Sequence, residues 1–166
     1  MGPLQTMDKY LIQPHLSTLE LLDDLPEVQV EVEGTSVILG FLGYSSSAKW
    51  TRETLSELII NPLIGELDKL PNMLLIPTEG TTSTLLQIWA DRLNVDCQPI
   101  DSDWSRLGRR ARALRDGRIL KESTHLVFFL GSRSDYYEKI AIREVKKGRK
   151  VFAVDPKTGM LEEWIS

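Results

Sequence analysis

The stretch Leu74–Leu93, LLIPTEGTTSTLLQIWADRL, decides how the rest of the chain is read. Leu74, Leu75 and Ile76 form a short apolar run that suits a buried strand. Pro77, Thr78, Glu79 and Gly80 break it, and Thr81, Thr82, Ser83 and Thr84 follow as a row of hydroxyls. Leu85, Leu86, Trp89 and Leu93 then recur at helical spacing, an apolar stripe on an amphipathic helix. Strand, small-residue turn and helix in this order make one unit of a parallel sheet. The turn belongs at the carboxyl edge of that sheet, where the first helical N–H groups and the helix dipole favour an anion. A capped turn without a ligand accounts for the same residues, and both readings stand at this point.

The flanking segments repeat the alternation. Ser36–Leu42 reads as an apolar strand closed by Gly43, Tyr44 and the serines Ser45, Ser46 and Ser47. Thr51–Leu70 carries Leu55, Leu58, Ile59, Leu63 and Leu67 near one face, with Asn61-Pro62 expected to kink or split it. Val95–Ile100 is a strand ending at Asp101, and a helix is expected from Trp104 to Leu120. His125–Leu130 is the most hydrophobic strand, followed by Gly131, Ser132, Arg133 and Ser134. Asp135 and Glu138 mark the next helix start. Gly148 stops that helix, Lys150–Val154 reads as the last strand, and Trp164 in the tail is expected to dock on the body.

Strands alternating with helices predict right-handed βαβ units, an open and mostly parallel sheet, and helices on both faces. The turns after the strands, rich in Gly, Ser, Thr and Asp, would gather at one edge, where ligands of such sheets bind. Residues 1–35 read as an N-terminal extension and residues 36–166 as a single domain. Within the extension, Ser17 is placed to cap a short helix. Val28, Val30 and Val32 alternate with Gln29, Glu31 and Glu33, a strand expected to form a hairpin with the one from Ser36 and to lie at a charged sheet edge.

Composition bounds the function. With 166 residues, 42% hydrophobic and a net charge of −4, the chain suits one globular domain rather than a disordered one. A pI near 5.3 argues against coating nucleic acid with the whole surface, while leaving local basic patches open. The single cysteine, Cys97, excludes an internal disulfide, and with His15 and His125 it falls short of a structural zinc set. No cofactor or metal is called for. No apolar run approaches a membrane span and no leader pattern opens the chain, so a cytoplasmic location is expected.

Chemistry-bearing residues concentrate at the predicted edge. Arg106, Arg109, Arg110, Arg112, Arg115 and Arg118 are crowded into one helical segment. Arg109 and Arg112 lie away from the apolar stripe and read as solvated. Arg115 borders the inner face, where an arginine needs an anion: Asp101, Asp103 or Glu79 from the chain itself, or a ligand phosphate. Glu79 in the turn is placed to act as a base or to hold a ribose hydroxyl; solvation is the plainer alternative. Trp104 either stacks on a base or plugs the sheet edge. One of Tyr136 and Tyr137 faces the core by periodicity. His125 opens a strand, away from the carboxyl edge, so no Ser/His/Asp arrangement is legible.

The segment Asp103-Trp104, Gly108, Ala111, Arg115-Asp116 resembles the YspA-type branch of the SLOG superfamily. That branch reads Asp-Trp, Gly four residues after the Trp, then Ala, then Arg-Asn. The resemblance extends over roughly residues 36–154, and Trp89-Ala90 and Gly131 also stand in family-like positions. It implies a three-layer Rossmann-like α/β fold that binds nucleotides or nucleotide-derived ligands, commonly as a homodimer. Departures are specific. Gly43 is followed by Tyr44 where the family has Gly-x-Arg. Pro77–Ser83 keeps one glycine of a glycine-rich turn. Leu130 and Asp135-Tyr136 replace an Asp and a Gly-Thr pair. Such side chains obstruct close backbone approach to a phosphate.

The expectation drawn from residues and resemblance together is a binding protein or sensor for a nucleotide-derived ligand. Gly43, Ser45, Ser46, Thr78, Gly80, Thr81, Thr82, Asp103, Trp104, Arg115, Gly131, Ser132 and Arg133 would line its pocket. The alternatives are an N-glycosidic nucleotide hydrolase with Glu79 and Arg115 as catalytic residues, and a single-stranded nucleic-acid accessory protein of the kind that carries a related domain in transformation. The helix around Ile60 has apolar residues on more than one side. Either the N-terminal helix, with Leu19 and Leu22, covers them within the chain, or a twofold homodimer forms through this helix, and the homodimer is the expectation.

Overall fold

Apolar residues without alternation need burial on both faces, and two strands of this kind lie side by side at the centre of the sheet. They are β1 (Ile38–Gly43) and β4 (His125–Phe129), paired in parallel from Leu39 opposite His125 to Gly43 opposite Phe129. The computed structural model describes residues 36–43, 50–131 and 135–165. The expected helix at Ser17 and strand at Val28–Glu33 fall outside these, as do Ser45, Ser46, Ser132 and Arg133.

The sheet order is β3-β2-β1-β4-β5-β6, with β2 at Met73–Pro77, β3 at Asp96–Ile100, β5 at Lys150–Val154 and β6 at Leu161–Trp164. All pairings are parallel except β5 with β6. The chain therefore moves from β1 through β2 to β3, then crosses to the other side of β1 for β4. Helices following the first two strands cover one face and those following β3 and β4 cover the other, as right-handed crossovers require. This is the predicted three-layer α/β fold, Rossmann-like in strand order. Among the described residues, no helix is long and apolar enough to cross a membrane.

Alternate residues of each central strand feed opposite cores. Leu39, Phe41, Leu74, Ile76, Val127, Phe129, Phe152 and Val154 join one apolar cluster with Leu55, Ile59, Leu63, Leu86 and Ala90 from the helices. Leu42, Leu75, Leu126, Phe128 and Val151 join the other, with Ile119, Leu120, Tyr137 and Ile140. The edge strands look different for a physical reason. β3 contains Pro99, which lacks a donor for a second neighbour, and β6 carries Glu162 and Glu163, which blunt an exposed edge.

Four expectations need correction. β1 has β2 on one side and β4 on the other, so no edge remains for a hairpin partner from the extension. The strand Lys150–Val154 is not the last: the tail docks, as expected, but does so as antiparallel β6. The helix from Trp104 is two helices, α4 (Trp104–Leu107) and α5 (Arg110–Glu122), separated where Gly108 takes φ +58° and ψ −132°. Finally, Ile60 is 2% exposed and packs inside its own chain, so the expected dimer contact through it is withdrawn.

Asn61-Pro62 does not separate the segment, since helical backbone runs on from Arg52 to Leu67. α1 (Arg52–Leu55) starts from a capping box between Thr51 and Thr54, then passes through a π-helical turn (Ser56–Ile60) into α2 (Asn61–Leu67). Asn61 N–H reaches back to Ser56 O, and Pro62, having no N–H, sits at the start of α2, where none is required. α3 (Thr81–Arg92) and α6 (Asp135–Lys146) complete the set.

Candidate functional site

The reversal of strand order falls between β1 and β4, and parallel strands bring every carboxyl end to the same edge. At that edge β1 and β4 approach closely. Gly43 has φ +113°, and a β-carbon there would collide with the Phe129 carbonyl. Gly131 follows β4, partly exposed. Trp50 packs edge-on against Phe129, with ring centroids 6.2 Å apart.

Next to this crevice, β2 ends at Pro77 and the chain turns through Thr78, Glu79 and Gly80 into α3. Gly80 precedes the helix at φ +103° and ψ +151°, a conformation that a side chain disfavours, and it brings no capping oxygen. The hydroxyl row divides by helical geometry. Thr81 and Thr84 are exposed, whereas Thr82 and Ser83 turn inward and are buried, so Thr82 does not stand on the open rim as expected.

A chain of polar contacts runs inward from this turn. Thr78 Oγ1 lies 3.0 Å from Asp101 Oδ1 and 3.2 Å from Glu79 Oε1, and its single proton serves one of them at a time. Arg115 Nη1 donates to Glu79 Oε2 at 2.8 Å. Arg115 Nε donates to Asp116 Oδ1 at 2.9 Å, and Tyr137 OH donates to Asp116 Oδ2 at 2.8 Å. The pairs are unequal in exposure. Arg115 and Asp116 side chains are 4% and 0% exposed, while Glu79 is 59% exposed. Of the partners expected for Arg115, Glu79 is the one observed. Asp116 is the second, and sequence reasoning missed it as a partner.

The titration of these groups follows from burial and charge. Burial alone would raise Glu79, but the Arg115 hydrogen bond and charge outweigh it and hold the carboxyl below its ordinary range. Burial dominates at Asp116, whose carboxyl is raised despite Arg115 and Tyr137. The Tyr137 hydroxyl is raised by burial and by the adjacent Asp116, so it stays a donor. Arg115 is raised because Asp116 and Glu79 more than offset its desolvation. The Arg115 contact thus holds Glu79 toward its charged form.

The remaining candidates sit around this chain of contacts. Asp103 caps α4, accepting from Arg106 N–H at 3.3 Å, from Arg106 Nε at 2.8 Å and from Ser105 Oγ at 3.2 Å. Trp104 is 51% exposed, so it does not plug the edge. Arg109 and Arg112 are solvated, as their positions predicted, and Arg110 is exposed beside them. His125 opens β4 at the opposite, amino edge, and burial with the charges of Lys150 and Arg149 lowers it. Burial pushes the Cys97 thiol up to about 11.

Two grooves lie away from the edge. One of about 280 Å³ runs between the α1 region and α3, lined by residues including Leu55, Leu85, Ile88 and Trp89. Another of about 370 Å³ lies between α6 and β6, lined by residues including Ile142, Val145 and Trp164. Neither is lined by Glu79 or Arg115. Comparison of the chain with family models, with curated proteins and with solved structures finds no match to any of them.

Proposed function

We propose that the chain is a binding protein for a nucleotide or nucleotide-derived anion, taken at the carboxyl edge beside the β1–β4 crevice. The observation that carries this reading is the reversal of strand order at β1 and β4, with the Thr78–Gly80 turn and the amino terminus of α3 at the same edge. The rim has suitable chemistry. Thr78 and Thr81 supply hydroxyls, Asp101 accepts from a ribose, and the exposed indole of Trp104 offers a stacking surface for a base. The resemblance of Asp103–Asp116 to the SLOG pattern supports the same class of ligand. Arg115, the arginine of that pattern, comes to the turn through Glu79.

Thermal unfolding against nucleoside mono-, di- and triphosphates, cyclic dinucleotides and ADP-ribose tests the reading. A ligand at a hundred times its Kd adds about 2.7 kcal/mol. In a chain of this size that raises the melting temperature by roughly 5–10 °C. Absence of a shift with every compound at millimolar concentration overturns the proposal.

A second reading has its own observation. Trp104 is exposed on the same segment as exposed Arg109, Arg110 and Arg112, a combination that suits stacking and phosphate contact with single-stranded nucleic acid. Electrophoretic retardation of single-stranded DNA at low salt, weakening as salt rises, is its expected outcome. No retardation removes it.

A further inference from the structure

Resting on the anion-binding reading above, we propose that Glu79 is the resident occupant of an anion position on Arg115. A ligand phosphate takes that position by displacing it. Glu79 then sets the affinity of the site and its preference for phosphomonoester dianions.

The guanidinium is anchored from behind. Its Nε is held by Asp116, and Asp116 is held in turn by Tyr137, all within the core. Its Nη1 end meets the rim, where the Glu79 carboxylate covers it at 2.8 Å. The two ends differ in freedom. Arg115, at 4% exposure, stays where Asp116 fixes it, whereas Glu79, at 59%, can rotate into water. Departure of Glu79 leaves an intact buried Arg115–Asp116 pair and an uncovered guanidinium edge next to the amino terminus of α3, which favours negative charge.

Displacement selects by charge and by acceptor count. A phosphomonoester dianion brings twice the charge of a carboxylate and three terminal oxygens, and it engages a guanidinium edge in a bidentate manner. A phosphodiester carries the same charge as the carboxylate it must replace and gains little. Asp101 provides the internal control. It lines the same rim and shares the Thr78 hydroxyl, but its contact is with Thr78 rather than Arg115.

The test titrates the wild-type chain, Glu79→Gln and Asp101→Asn with inorganic phosphate and with dimethyl phosphate, at about pH 8, where the former is a dianion. Calorimetry reads the affinity. Glu79→Gln is expected to tighten inorganic phosphate by about tenfold, since it removes a charged hydrogen bond that competes for Arg115. Asp101→Asn, a change of equal charge, is expected to tighten it by less than about threefold, the range of an exposed through-space effect. The preference for inorganic over dimethyl phosphate should shrink in Glu79→Gln. Because Gln retains an acceptor for Arg115, Glu79→Ala serves as the second variant, with an equal or larger gain expected.

Equal gains in Glu79→Gln and Asp101→Asn overturn the inference, because general charge relief would explain both. An unchanged or weaker affinity in both Glu79 variants overturns it while leaving the anion-binding reading intact. If none of the four proteins binds phosphate, the inference and the phosphate part of that reading fall together.

Discussion

Arg115 shows how one residue ties local sequence to tertiary order. An arginine on the inner side of α5 must find anions, and the chain supplies Asp116 from the same helix and Glu79 from the turn after β2. Removing Asp116 strands both Arg115 and Tyr137. Asp116→Ala is expected to cost about 3–5 kcal/mol of unfolding free energy by urea titration. Tyr137→Phe, which deletes one donor, should cost about 1–2 kcal/mol. Similar losses in the two variants would mean that the buried carboxylate does not organise the site. The need of Arg115 for a partner was legible from helical periodicity. The partner Asp116 was not, because adjacent helical residues point in different directions and only the bend of the guanidinium brings Nε back to it.

His125 makes a pH prediction of the same kind. Burial, then Lys150 and Arg149, lower its pKa in the folded state, with Glu163 opposing, and Thr124 Oγ1 lies 2.8 Å from Nδ1. A depressed folded pKa means that the unfolded chain takes up the proton first. The contribution is complete above the unfolded value of about 6.5 and is lost as pH falls towards the folded value. Urea midpoints should therefore decline as pH falls below about 6.5, and His125→Gln should flatten that decline. An identical slope in the variant would place the pH dependence elsewhere.

At the scale of elements, each correction has a local cause. The π-helical turn ahead of Pro62 rotates the faces of α1 and α2 relative to each other. An ideal helical wheel leaves Ile59, Ile60 and Leu63 on more than one side, whereas the turn directs all three, with Leu55, into one cluster. Ile59, Ile60 and Leu63 are thus covered by the chain itself, while Leu58, Ile64 and Leu67 stay partly exposed. Ile60→Glu is expected to abolish cooperative folding rather than split an assembly, since it buries an unpaired carboxylate. Ile60→Ala should cost about 2–5 kcal/mol. Circular dichroism with urea decides this, and a folded Ile60→Glu chain of native stability would contradict the packing. Gly108 is similar: its periodic neighbours suggested one helix, and only backbone angles reveal the break.

At the scale of the molecule, the alternation of strands and helices made the α/β class legible, whereas the central place of β1 and β4 emerges only from the strand order. Strand β6 was not legible. Leu161–Trp164 contains adjacent glutamates and lacks the apolar density of the inner strands, because an edge strand with one neighbour has less to bury. Its contribution is nevertheless structural. β6 closes the outer edge of β5 from Val151 to Val154, Glu163 pairs with Lys150 at 3.0 Å, and Leu161 and Trp164 pack on opposite core clusters. A chain ending at Thr158 would lose both side chains from the core margins and expose the polar groups of β5. Both side chains are only partly buried, so the expected loss is about 1.5–3 kcal/mol, roughly half of what fully burying the two would contribute. The bared edge should also pair with other copies, so light scattering should show mass rising with concentration in the shortened chain. The unshortened chain, with its edge covered and guarded by two glutamates, should rise less over the same range. A shortened chain that keeps full stability and an unchanging mass would show that β6 neither seals the core nor protects the edge.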